Sequence, residues 1–135
     1  MLTKGMSREQ IREYLKDKGN FVQIDHLNRF LETKPPIPIK RFVYEALTSL
    51  YEKANLLSDA GLNAENSAEA CVTFTDKISF FVRATELFIK AGKFDRADYS
   101  MKKALHHANA SEKGDVYRQI KEFYKKQAGA YELDH

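Results

Sequence analysis

Apolar side chains recur along this chain at spacings of three and four residues, with few interruptions, and that rhythm predicts helices. It is clearest from Phe81 to Ala108. Phe81, Thr85 and Phe88 share one helix face, while Ala97, Met101, Ala104 and Ala108 share a face of a second helix. The alanines allow close approach of two helix axes. Gly92 lies at the turn between them, where a positive φ angle is needed. Asp95 is the expected N-cap of the second helix, with Phe94 and Tyr99 placed as a hydrophobic staple.

The same reading extends outward. Ser7 and Gln10 form a capping-box pattern for a helix that buries Ile11, Tyr14 and Leu15 and ends at Lys18-Gly19-Asn20. Asp25 is expected to cap a second helix carrying Leu27, Phe30 and Leu31. Pro35, Pro36 and Pro38 predict an extended connector over 35–39, because each proline removes a backbone donor and biases its predecessor away from helix. An amphipathic helix follows from Lys40 to Ser58, stopped at Gly61, and Asn63 caps one continuous helix from Ala64 to Ala91. A last helix, capped by Ser111 or Asp115, carries Val116, Ile120, Phe123 and Tyr124 and ends at Gly129, leaving a frayed tail. The expected fold is all-α: about six helices in three antiparallel hairpins. It divides into an N-terminal hairpin (1–34), the connector and a main helical body (40–135).

Composition narrows this picture. With 135 residues, 43% hydrophobic and 30% charged, the chain suits one folded unit with a real core. Cys71 is the only cysteine, so no intramolecular disulfide and no cysteine zinc site can form, which fits a reducing, cytoplasmic setting. The N-terminal residues show no signal-peptide pattern, and no stretch approaches the ~18 apolar residues of a membrane span.

Little in the sequence suggests catalysis. His26, His106, His107 and His135 have no chelating spacing, and adjacent His106 and His107 point about 100° apart on a helix. No phosphate-binding glycine loop or nucleophile elbow is present. Neither a cofactor nor a metal is expected. The net charge of +3 permits but does not demand a polyanionic partner. Between Lys93 and Lys126 nine basic residues stand against five acidic ones, so Lys102, Lys103, Arg118, Lys121 and Lys125 form a candidate basic surface for nucleic acid. The tyrosines of that region, Tyr117 and Tyr124, are expected on the apolar stripe, claimed by the core.

Phe88, Gly92, Phe94, Ala97, Met101 and Ala104 together resemble one tetratricopeptide repeat (TPR). The resemblance covers about 30 residues. It implies a right-handed helical stack or bundle that binds a partner helix or peptide in an apolar groove, without enzymatic activity. Phe81, Thr85, Phe88, Tyr99 and Met101 are the expected contact residues. The positions at which that family grips C-terminal carboxylates hold Val82 and Glu86 here, so a carboxylate clamp is not implied. Phe123, Ala128, Gly129 and Tyr131 look like the first helix and turn of a further repeat. The last two helices also resemble MIT domains, which bind helical tails. The region resembles HEPN helical pairs as well, but no arginine precedes a histidine at the interval their RNase activity uses, so only an inactive HEPN-like domain is implied. One repeat does not bury its own faces. Either the N-terminal helices cap the stack or a homodimer completes it, and the dimer is preferred.

Overall fold

A computed structural model describes the backbone of residues 1–134 and the side chains of residues 1–129. Seven α-helices are present and no strand occurs among the described residues. They are α1 (Arg8–Leu15), α2 (Asn20–Glu32), α3 (Ile37–Lys53), α4 (Leu57–Ala70), α5 (Phe74–Lys90), α6 (Phe94–His107) and α7 (Ala110–Asp134). The expected all-α class holds, with one helix more than anticipated.

The additional helix comes from redrawing two boundaries. The predicted stop at Gly61 is wrong: Gly61 is buried inside α4, and the break falls at Asn55, where φ is +59°. Asn63 is likewise an interior residue of α4, not a cap. The predicted helix from 64 to 91 is cut at Cys71–Thr73, the β-branched stretch, where Cys71 is extended and the Thr73 hydroxyl caps α5 by accepting from the Asp76 amide. The proline connector is shorter than expected. Only Pro35 and Pro36 precede the helix, and Pro38 sits in the first turn of α3, where its missing N–H costs nothing.

Further cap assignments shift for local reasons. Ser7 and Gln10 do form the capping box of α1. Asp25 lies inside α2, whose N-cap is Gly19. Lys93, not Asp95, is the N-cap of α6, and no staple forms there because the Phe94 ring stacks on Tyr124 instead, 6.0 Å between centroids. Asn109 and Glu112 share a reciprocal pair of hydrogen bonds at the start of α7, displacing the expected caps Ser111 and Asp115. Gly129 does not end α7, which continues to Asp134. His135 lies outside the described residues.

The helices repeat with a fixed register that the composition alone conceals. α2, α4 and α6 begin at Asn20, Leu57 and Phe94, and α3 and α5 begin at Ile37 and Phe74, so each step is 37 residues. The turns repeat too. Asn55 and Gly92 both take positive φ, at +59° and +72°. The next residues, Leu56 and Lys93, share φ −96°/ψ 71° and φ −97°/ψ 71°. Their amides reach back to the Tyr51 and Phe88 carbonyls, both at 2.9 Å, the long bond of a Schellman turn. Thr48 and Thr85, again 37 apart, each donate a hydroxyl proton to the carbonyl four residues earlier, both at 2.8 Å.

Each first helix of a pair therefore carries two triads of core positions. Val43, Leu47 and Leu50 on α3 face backward into an N-terminal cluster with Ile11, Leu15, Ile24, Leu27 and Phe30. Tyr44, Thr48 and Tyr51 face forward, and Tyr51 joins the second cluster. On α5 the backward triad is Phe80, Ala84 and Leu87, and the forward triad is Phe81, Thr85 and Phe88. On α7 the backward triad is Val116, Ile120 and Phe123, displaced by 36 instead of 37 because the linker before α7 is one residue shorter. The second helices supply small residues to these faces: Ala60, Ala64 and Ser67 from α4, Ala97 and Ala104 from α6. The N-terminal hairpin is docked, since α1 and α2 bury their apolar faces against α3.

Candidate docking surfaces

α5 and α7 run parallel, because Thr75 meets Glu112 and Asp115 at one end while Lys90 meets Lys126 and Gln127 at the other. Between them lies a furrow with two hollows. The first, about 240 Å³, is lined by Ile78, Ser79, Val82, Val116 and Gln119 with Glu112 and Asp115 at its mouth. The second, about 370 Å³, is lined by Leu57, Glu86, Lys90, Phe123, Lys126 and Gln127. Its floor is apolar because the backward triad of α7 packs there; at one end stand Glu112 and Asp115, the latter paired with Arg118, and at the other Lys90, 4.0 Å from Glu86, and Lys126. Val82 and Glu86, the positions occupied by the carboxylate clamp in the family resembled, both line this furrow. The corresponding seam between α3 and α5 is closed by charge: Arg83 pairs with Glu52 at 2.6 Å, and Arg41 with Asp76 at 3.4 Å.

The expected contact residues divide sharply. Phe81, Thr85 and Phe88 are each 1% exposed and form the interior of the α5–α6 pair, so they offer no surface to a partner. Met101 is half-buried and only Tyr99 is exposed. The Tyr99 ring lies between the Arg96 guanidinium, 4.8 Å from its centroid, and the Lys103 ammonium at 5.5 Å. The furrow residues Ile78, Ser79 and Gln119 were not among the expected contacts, and Phe123 was expected only as an apolar position of the last helix. The recurrence of triads 43/47/50, 80/84/87 and 116/120/123 places Phe123 at the α5–α7 seam.

Most of the candidate basic surface is paired. Lys102 binds Asp98 at 2.9 Å, Arg118 binds Asp115 at 2.8 Å, Lys103 approaches Glu69 at 3.9 Å and Lys125 approaches Glu122 at 3.7 Å. Hydrogen bonding and attraction to Asp98 raise the Lys102 pKa. Lys121 alone of the five forms no ion pair among the described residues. Such pairing disperses the positive field that phosphate binding draws on.

Tyr117 and Tyr124 were expected in the core and are instead 55% and 42% exposed. They lie one step round α7 from Val116 and Phe123, and the Tyr124 ring is stacked by Phe94 of α6.

His26 and His107 pack against aromatic rings. Tyr14 and His26 are hydrogen-bonded at 2.9 Å. His107 is half-buried, stacked near Phe74 and Phe81 at 5.5 and 6.1 Å and edge-on to His106 at 5.1 Å. Burial pushes its pKa down, and His106 and Lys77 add to that. Cys71 is buried, donates to the Ser67 carbonyl, and has its pKa raised by burial. Among the described residues no group of three or more His, Cys, Asp or Glu is placed to hold a metal ion, and no helix is long and apolar enough to cross a membrane. Comparison with protein-family models, with curated proteins and with solved structures finds no match to this chain.

Proposed function

We propose that this chain is a non-enzymatic, TPR-like docking module that receives a partner helix or peptide in the furrow between α5 and α7. The observation that carries the reading is the furrow itself. It combines an apolar floor at Val82, Val116 and Phe123 with Glu112 and Asp115 at one end and Lys90, Lys126 and a single carboxylate, Glu86, at the other. The 37-residue register supports the same reading, since helical repeats stack into extended surfaces of this kind. From Thr75 to Lys90 the furrow runs about 22 Å, room for about four helical turns. Its occupant is an apolar-centred peptide with basic residues at the Glu112 end and acidic residues at the Lys90 end. A cytoplasmic setting, suggested by a single buried thiol, belongs to the same proposal.

Selection from a displayed library of random peptides tests this, using wild type beside Ser79→Arg/Gln119→Arg. Both changed positions are exposed, so the variant fills the furrow without disturbing the core. Peptides with the stated charge order should bind wild type and lose about tenfold or more on the variant. Recovered peptides that bind both proteins equally would refute the furrow as the docking site.

A further inference from the structure

The two hollows of the furrow stand at a fixed separation. Along both walls the lining of the second lies about ten residues beyond that of the first, about 15 Å at the rise of an α-helix. Two side chains of a helical occupant reach across that distance from one face when they are about eleven residues, or three turns, apart. The walls give an extended chain little to pair with. Both are helices, whose backbone groups along the furrow are bonded within themselves, and the neutral polar side chains there are only Thr75, Ser79, Gln119 and Gln127. A helix arrives with its own backbone hydrogen bonds made, so it buries its face over the apolar floor without leaving donors and acceptors unpaired.

Charge sets the direction of that helix. Asp115 is paired with Arg118 at 2.8 Å, and Lys90 stands 4.0 Å from Glu86. Two groups remain without an ion pair among the described residues: Glu112, which accepts the Asn109 amide at 3.0 Å, and Lys126 at the opposite end. α5 and α7 both begin at the Glu112 end. A helix antiparallel to them meets Lys126 with its first turn and Glu112 with its last. Acidic residues in the first turn and basic residues in the last then match the furrow and also complement the occupant's own macrodipole. Its carboxyl end lies beside the positive amino termini of α5 and α7. A parallel helix carrying the charges the furrow requires would set basic residues in its first turn and acidic ones in its last, against its own dipole. We infer that the occupant is an α-helix antiparallel to α5 and α7, acidic at its start and basic at its end, with a large apolar anchor in the Leu57–Phe123 hollow and a smaller one about three turns later in the Val82–Val116 hollow. This rests on the docking role proposed for the furrow and adds the partner's conformation, direction and anchor spacing.

The probe is a capped, alanine-based peptide of about 18 residues, long enough to form a helix on the protein. It carries glutamates in its first turn, a photoreactive benzoylphenylalanine as first anchor, a leucine about eleven residues later and lysines in its last turn. Fluorescence anisotropy with the intact protein should show saturable binding below about 1 mM, weakened about tenfold by Ser79→Arg/Gln119→Arg and by a proline at the centre of the peptide. Irradiation should attach the first anchor to Leu57 or Phe123. Absence of binding at that concentration overturns the inference. Equal binding of the proline peptide overturns it in favour of an extended occupant, and cross-links to Ile78 or Val116 overturn it in favour of a parallel helix. In those last two cases, docking in the furrow stands if Ser79→Arg/Gln119→Arg still weakens binding. Binding that this variant leaves unchanged places the peptide outside the furrow and overturns the inference, while the library selection decides the docking role itself. Both changed positions are exposed, and unaltered melting of the variant separates lost binding from lost folding.

Discussion

Gly61 of α4 lies against the ring of Phe88 on α5, so closely that a Cβ at 61 would stand 2.8 Å from both Cε1 and Cζ. A glycine in mid-helix ordinarily weakens the helix relative to alanine. Here the gain from helix propensity loses to the clash, because Phe88 is 1% exposed and has nowhere to move. Gly61→Ala should therefore destabilise the protein by about 1–3 kcal/mol. Urea denaturation of Gly61→Ala, Phe88→Leu and the double variant checks this. The smaller leucine side chain at position 88 should relieve the alanine, so additive losses would contradict the contact.

The two Schellman turns offer a matched test of backbone strain. Around Gly92 an added Cβ meets nothing within 4 Å, so replacing it costs only the left-handed conformation at φ +72°. Gly92→Ala should lose about 1–2 kcal/mol, whereas Gly92→Asn should lose clearly less, since asparagine already holds φ +59° at the equivalent residue 55. Thermal melting of both variants decides it. Equal losses would mean that the side chain, not the backbone, sets the cost.

Much of this fold was legible in the sequence, and the failures share a cause. The hairpin at 81–108 was readable because Gly92 marks its turn and apolar residues mark its faces. The preceding hairpin has the same turn geometry, but Asn55 is a weaker punctuation mark than glycine and the visible glycine, Gly61, is interior. Following that glycine shifted the boundary and fused α4 to α5. Phe81 and Phe88 were readable as important but not as buried, since periodicity gives a face and not its neighbour. Tyr117 and Tyr124 erred in the opposite direction: they occupy positions that are core in the preceding pair, yet they stay exposed, with the Phe94 ring stacked on Tyr124.

His107 should make stability depend on pH. Burial beside Phe74 and Phe81, with His106, Lys77 and Lys103 nearby and only Glu69 opposing, lowers its folded pKa. The unfolded chain then binds the proton first, so the stability tied to neutral His107 is present above about pH 6.5 and is lost as pH falls through and below that value. Melting temperature should drop more steeply toward acid for wild type than for His107→Gln, which carries no titrating group. Parallel pH profiles would show that the imidazole contributes nothing to the acid response.

Glu65 should be the most sensitive polar residue in the chain. It is 9% exposed, and both its oxygens accept from Arg96 Nη2, at 2.7 and 2.6 Å, while Ser100 Oγ donates to Oε1 at 2.8 Å. The Arg96 guanidinium is meanwhile held over Phe88 and Tyr99. Burial of the carboxylate makes loss of its partners costly, yet the Arg96 side chain is 43% exposed, so water screens part of the attraction. Glu65→Gln should therefore cost about 1–3 kcal/mol, below the range for fully buried pairs, and Ser100→Ala about 1 kcal/mol. The two changes act on one oxygen, so the double variant should lose less than the sum, by at least about 0.5 kcal/mol. A double-mutant cycle by urea denaturation measures that coupling. Strict additivity would reduce the network to an independent ion pair, and α4 and α6 would then be joined only by their small residues.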